Sequence, residues 1–226
     1  PRWTPPAVPE DRIRRALDLV SPTPIVLCHG GFSPARGLVE TADAMLLPGL
    51  EPAHLVFLGY RAVFIEDVLA RPELAGRVHF LPAVPPEDVP AWVAGADVDV
   101  MAILPIDLNS RLSTPNKLFE SLAAGVPVVS TDLPERRRIV LEDPLGPLGA
   151  LCDPARPASI AAAIRSILEA PRGERDALRA RCLEAAQARW NWETESRGFI
   201  ELYADLGSPS RADPTSSTDV RPEAIG

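Results

Sequence analysis

Between residues 24 and 131 the chain alternates short apolar runs with stretches whose apolar positions recur every three or four residues. An apolar run of four to eight residues bounded by turn formers predicts a buried strand, and a 3.6-residue period predicts an amphipathic helix. On this basis "PIVLCHGG" is a buried strand ending in two glycines, "GLVETADAMLL" a helix, and "HLVFLG" a second strand. "FIEDVLA" follows as a helix, "RVHFLPAV" as a third strand and "PEDVPAWVAGA" as a short helix; "VDVMAIL", "PNKLFESLAAG" and "VPVVST" are strand, helix and strand. Strands that are apolar throughout are covered on both faces, and strand–helix–strand units close right-handed. The predicted fold is therefore α/β, a doubly wound parallel sheet of Rossmann-like type. From about Pro157 the pattern is helical only, in "ASIAAAIRSILEA", "ERDALRARCLEAAQARW" and "WETESRGFIELYADL".

The two ends read differently. "PRWTPPAVP" has four prolines in nine residues, the composition of an extended linker, so 1–20 reads as interdomain linker and start of domain. Residues 207–226, "GSPSRADPTSSTDVRPEAIG", lack aromatics and predict a disordered tail. The folded domain is thus expected over 21–206.

Composition narrows the function classes. A net charge of −8 argues against a nucleic-acid footprint, so an anionic partner has to be held locally. Cys28, Cys152 and Cys182 are odd in number and widely spaced, which suggests neither a disulfide framework nor a metal site. His29, His54 and His79 are too far apart to form a helical ligand pair, and no metal is expected. No apolar run approaches the roughly 20 residues of a membrane span, and no signal-peptide pattern opens the chain. The expectation is a cytoplasmic protein, with peripheral membrane contact left open. Arginine, alanine and proline in place of lysine suggest a GC-rich, bacterial source.

In doubly wound sheets ligands bind beyond the carboxyl ends of the strands, where the strand order reverses. Two strand-to-helix loops stand out, "HGGFSPARG" and "PIDLNSRLST". The second runs into residues 109–120, "NSRLSTPNKLFE", which hold the only lysine of the chain and two of its three asparagines. Thr114 reads as the N-cap of the next helix and Pro115 as its first residue. At 100° per residue Leu118, Phe119, Leu122 and Ala123 share an apolar face, and Asn116, Lys117, Glu120 and Ser121 a polar one. The N-terminus of such a helix is a ready anion site, yet Lys117 in its first turn opposes the dipole. Lys117 and Glu120 form either a solvated i,i+3 pair or a ligand site, with Lys117 on a phosphate and Glu120 accepting from a sugar diol. The use of Arg everywhere else favours the second reading. The first loop offers Gly30 and Gly31 and an Arg36–Gly37 pair, but neither GxGxxG nor a Walker pattern. Close packing of helix on strand explains those glycines as well as a phosphate does.

Taken together, these segments resemble group 1 glycosyltransferases, the retaining family with two-domain GT-B architecture. "VLCHGGFSPARGLVETADAM" is similar to the family's first strand and glycine-rich turn, and "PNKLFESLAAGVPVVSTDLPE" to its most diagnostic segment. "HLVFLGY", "RVHFLPAVPPEDVPAWVAGADVDVMAI" and "NWETESRGFIELY" resemble the intervening strand regions and the closing helix. The resemblance implies the C-terminal half of a GT-B fold, with extra C-terminal helices, that binds a nucleotide-diphosphate sugar. The acceptor would be held by an N-terminal domain missing from this chain, so the isolated domain would be inactive as a hexosyltransferase. It implies no cofactor beyond the donor substrate. Carried over by position, Glu120 would bind the ribose hydroxyls, Arg36 would face the diphosphate, and Gly30–Gly31 would form the close-approach turn before Gly37. Lys117 and Asn116 would serve the diphosphate or the sugar, and Tyr60, Ala83 and Val84 would lie near the base. Two departures stand out: Gly31 occupies the place of a second basic residue, and Leu112 that of an acidic one. Asn109, Arg111 or Lys117 would take over those contacts, beside the helix start at Thr114. Trp190 and Trp192 read as packing anchors, and the final helix as one that crosses back to the first domain. The alternatives are a non-catalytic nucleotide-sugar-binding domain and a nucleotide-sugar 2-epimerase of the same architecture.

Overall fold

A computed structural model describes residues 11–207. The stretch 1–10 and the tail 208–226, expected as linker and disordered segment, lie outside the described residues. Within the stretch assigned to linker and domain start, the chain is already helical at α1 (Arg12–Ala16).

Six strands, β1 (Ile25–Gly30), β2 (His54–Gly59), β3 (Val78–Pro82), β4 (Val98–Met101), β5 (Val128–Thr131) and β6 (Gly149–Cys152), form one parallel sheet in the order β3-β2-β1-β4-β5-β6. The chain winds outward from β1 to β3, then returns to the other side of β1 and winds outward again. The reversal falls between β1 and β4, and their carboxyl ends bound the crevice where such folds hold ligands.

The apolar runs form strands because both sheet faces are covered. Val26 and Cys28 of β1, with Leu55 and Phe57 of β2, pack toward α2 (Leu38–Ala44), α3 (Val63–Leu69) and α8 (Pro157–Leu168). Ile25 and Leu27, with Val56 and Leu58, face the other way, toward α1 and α4 (Val89–Val93). A third cluster joins Met101 and Val128 to Leu118 and Leu122 of α6 (Asn116–Ala123), Ile139 and Val140 of α7 (Pro134–Val140), and Cys182 of α9 (Arg172–Ala188). All three cysteines are free and buried. Strand β6, α1, α7 and α5 (Leu108–Leu112) add to the elements the pattern predicts.

Residues 11–191 belong to one compact unit, and α10 (Trp192–Gly207) to a second. In the first unit Trp190 is an anchor: its indole N–H donates to Asp143 Oδ2 at 2.9 Å and its ring stands 6.1 Å from that of Phe119. Its expected fellow anchor, Trp192, instead opens α10. Within α10 the rings of Phe199 and Tyr203, one turn apart, approach to 4.8 Å.

Candidate functional site

The first loop is clamped against the end of β4. Gly37 has φ +68°, and a Cβ there would stand 1.9 Å from the Ala102 carbonyl oxygen, so no side chain fits. Leu104 N–H donates to Ala35 O at 2.9 Å, which ties the two loops together. Between them lies a cavity of about 470 Å³, lined by Gly30, Gly31, Arg36, Asn109, Ser110, Asn116, Lys117, Glu120 and Arg136 among others. A second hollow of about 260 Å³ lies over the ends of β2 and β3 and is lined by Gly59, Tyr60, Ala83 and Val84. Gly30, Gly31 and Glu120 line both, so the two meet at the end of β1. Gly31 has open space on its Cβ side.

Charged groups converge where the hollows meet. His29, 2% exposed, donates from Nε2 to Glu120 Oε2 at 2.9 Å. Its Nδ1 stands 2.8 Å from Asp99 Oδ2, off the axis of a well-aligned hydrogen bond, so that contact is chiefly one of charge. Asp99, fully buried on β4, also accepts from Ser121 Oγ at 2.6 Å. Lys117 is buried and its ammonium donates to the His29 carbonyl at 3.1 Å. Burial opposes charge on His29, but the Asp99 carboxylate and the hydrogen bond to Glu120 outweigh it and raise the imidazole to about 9. The ring is therefore cationic at neutral pH. Burial pulls the Lys117 ammonium below its ordinary range, against the attraction of Asp99. Glu120 keeps 43% of its side chain exposed, with one oxygen on His29 and the rest facing the cavity mouth.

This geometry corrects the sequence reading of α6. Lys117 and Glu120 form no ion pair with each other among the described residues; both meet His29 instead. Ser121, expected on the polar face, is fully buried. The helix starts one residue later than predicted: Pro115, extended at φ −72° and ψ 140°, is the cap residue and Asn116 the first helical one, so Thr114 is not the N-cap. The preceding loop contains α5, unforeseen, closed by a capping box in which Asp107 accepts from Ser110 N–H at 2.6 Å and Ser110 Oγ accepts from Asp107 N–H at 3.1 Å. Asn109 and Ser110 thereby reach the cavity, whereas Arg111 donates to the Pro105 carbonyl and neither it nor Thr114 lines the space.

Two guanidinium groups complete the cavity. Arg36, at the end of a 3₁₀ turn (Pro34–Arg36), is half-buried and has no carboxylate within 4 Å among the described residues. Arg136, on α7, is 1% exposed and donates from Nη2 to the Ser110 carbonyl at 3.0 Å. Burial and the nearby Arg36 lower its pKa to about 10.

Asp99 and Arg136 were not among the residues the sequence singled out; His29 was weighed only as a metal ligand, and Ser121 only as part of the polar face of α6. For Asp99 a signal existed, since an aspartate inside an apolar strand needs a partner. For Arg136 the signal was its spacing of three and four residues from the buried Ile139 and Val140.

Comparisons with known proteins agree with this architecture. Residues 23–170 match the family described as Glycosyl transferases group 1. Comparison with curated protein sequences gives no significant match. Among solved structures, sucrose-phosphate synthase from Thermosynechococcus elongatus superposes with a TM-score of 0.71 at 25% identity, over 90% of this chain and 49% of that one. Anabaena HepE in complex with UDP-glucose gives 0.71 at 19% identity, over 88% and 54%. A glycosyltransferase from Rickettsia africae gives 0.70 at 12%, over 88% and 52%. At those lower identities the likeness concerns the fold alone. The chain spans about half the length of these structures. With the family's pattern matched over most of the chain and the sheet of a GT-B glycosyltransferase half in place, the chain belongs to the group 1 glycosyl transferases.

Proposed function

We propose that the crevice binds a nucleotide-diphosphate sugar, and that this chain is the donor-binding part of a retaining hexosyltransferase whose acceptor is held by a further domain. The observation that carries this reading is the meeting of two unlike hollows at Glu120. One is cationic and polar; the other, smaller at about 260 Å³, is lined by Tyr60, Ala83 and Val84. The base enters the smaller hollow, the ribose hydroxyls donate to Glu120, and the diphosphate crosses Gly30–Gly31 toward Arg36, Lys117 and the first turn of α6. Asn109 and Asn116 lie at the glycosyl end. HepE, of the same fold, is seen with UDP-glucose, which supports a nucleotide-diphosphate sugar as the class of ligand.

The chemistry follows from charge. As the glycosidic bond breaks, the departing nucleoside diphosphate gains negative charge, and fixed cations aimed at it stabilise the transition state more than the ground state. Lys117 is held in place by the His29 carbonyl, so little reorganisation accompanies the charge development. His29, itself held by Asp99, fixes the rotamer of Glu120 and thus orients the ribose. In this reading no metal, cofactor or nucleic acid takes part, and the enzyme works in the cytoplasm. The chain alone binds donor without transferring it. In the complete enzyme Lys117→Ala lowers kcat/KM by two or more orders of magnitude, and NMR of the product shows the donor's anomeric configuration preserved. An unchanged kcat/KM, or an inverted product, sinks the assignment.

A further inference from the structure

Arg136 presents a physical problem that the donor reading leaves open. A guanidinium taken out of water destabilises the fold unless carboxylates or hydrogen-bond acceptors replace its solvation. Arg136 is almost wholly buried, yet among the described residues its one acceptor is the Ser110 carbonyl, and Nε and Nη1 have none. Among the described residues no carboxylate lies within 4 Å of it, and the nearby charge is another cation, Arg36. It nonetheless lines the 470 Å³ cavity. His29 and Lys117, the other buried cations there, are answered by Asp99 and Glu120; Arg36 and Arg136 are not.

The topology says which part of a ligand would meet it. The smaller hollow lies over β2 and β3, the junction over β1, and Arg136 follows β5, on the opposite side of β4. With the base in the smaller hollow, a donor running across the strand ends reaches Arg136 with its distal phosphate or its sugar. We propose that Arg136 is a further binding residue, whose unanswered N–H groups take an oxyanion at the distal end of the donor together with Arg36. This rests on the donor reading for its direction, not for the anion site itself. Nη2 gives one of its two hydrogens to Ser110; the other, with Nε–H or with an Nη1 hydrogen, forms the fork suited to two oxygens of one phosphate or carboxylate.

Calorimetric and thermal-shift titrations of the full chain with inorganic pyrophosphate test this, using wild type, Arg136→Met and Arg136→Lys. Pyrophosphate is expected to raise the wild-type Tm and to bind Arg136→Met at least tenfold more weakly, with Arg136→Lys between. Without ligand, Arg136→Met should melt at or above wild type, because a buried charge lacking a counter-ion has been removed; a prop for α5 would melt lower. Should Arg136→Met not fold, Arg136→Lys keeps the charge but loses the fork and must still bind more weakly. The same series with UDP, GDP, dTDP, ADP, UDP-glucose and UDP-glucuronate locates the oxyanion. A defect already present with pyrophosphate assigns it to the distal phosphate, and one confined to UDP-glucuronate to a sugar carboxylate. Equal affinity of wild type and both variants for every probe overturns the proposal. Pyrophosphate binding that depends on Arg136 without any nucleotide binding would instead sink the donor reading and leave the anion site standing.

Discussion

His29 and Arg136 are cations buried to nearly the same degree on two sides of one crevice, and the protein treats them in opposite ways. His29 has a carboxylate on each ring nitrogen, and one of those, Asp99, is itself held by Ser121. Arg136 has one backbone carbonyl and a cationic neighbour. A cation surrounded by its own partners is part of the framework: it fixes Glu120 and needs nothing from outside. A cation buried without partners is a cost the folded chain carries, and such a cost persists at sites where a ligand offsets it. The comparison separates residues that build the site from those that meet its occupant.

The sharpest way to break this distinction is on the His29 side. Removing one member of a buried ion pair leaves the other unanswered, so Asp99→Asn should cost about 3–5 kcal/mol in urea denaturation. A loss under about 1 kcal/mol would put His29 in the same class as Arg136. A somewhat smaller effect is expected from pH. The His29 imidazole is raised from 6.5 to about 9 by folding, so its contribution is complete below pH 6.5 and is lost as pH climbs through 9. Wild type should therefore lose roughly 3 kcal/mol across that window, to which each pKa unit contributes about 1.4 kcal/mol. His29→Gln should show a flatter profile, with Lys117 as the neighbouring group that titrates in the opposite sense. The smallest effect concerns the turn between the two cations. With open space beside Gly31, Gly31→Ala should leave stability within about 0.5 kcal/mol yet weaken nucleotide binding, because the added methyl intrudes on the path proposed for the diphosphate. A loss of stability with unchanged binding would make Gly31 a folding residue instead.

The sequence carried the fold further than the site. Strands β1, β2, β4 and β5 were legible because burial on both faces leaves a largely apolar run, and β3, though partly buried, because its run "RVHFLPAV" is longer; β6 escaped because "GALC" is short and three of its four residues are only partly buried. Helix α5 escaped because its start signal, Asp107 with Ser110 three residues on, lies in a loop of few apolar residues. Lys117 could be singled out as the only lysine, but a helical wheel cannot say that a polar face turns into a buried crevice rather than into water. His29 and Asp99 sit on different strands and become neighbours only when β4 returns beside β1. Arg136 is one of three consecutive arginines, and only the packing of α7 shows which of them is buried, although its spacing to Ile139 and Val140 pointed that way.

If this crevice is a nucleotide-sugar donor site, nucleotides must stabilise the fold, which thermal-shift titration with UDP, GDP, dTDP and ADP reads directly. The titration is run on wild type, Lys117→Ala and Glu120→Ala, since a ligand that binds only the folded state must raise its stability. A rise with at least one nucleotide is expected for wild type, with apparent affinity reduced at least tenfold in both variants. A nucleotide that stabilises all three proteins equally, or none that stabilises the wild type, would contradict it.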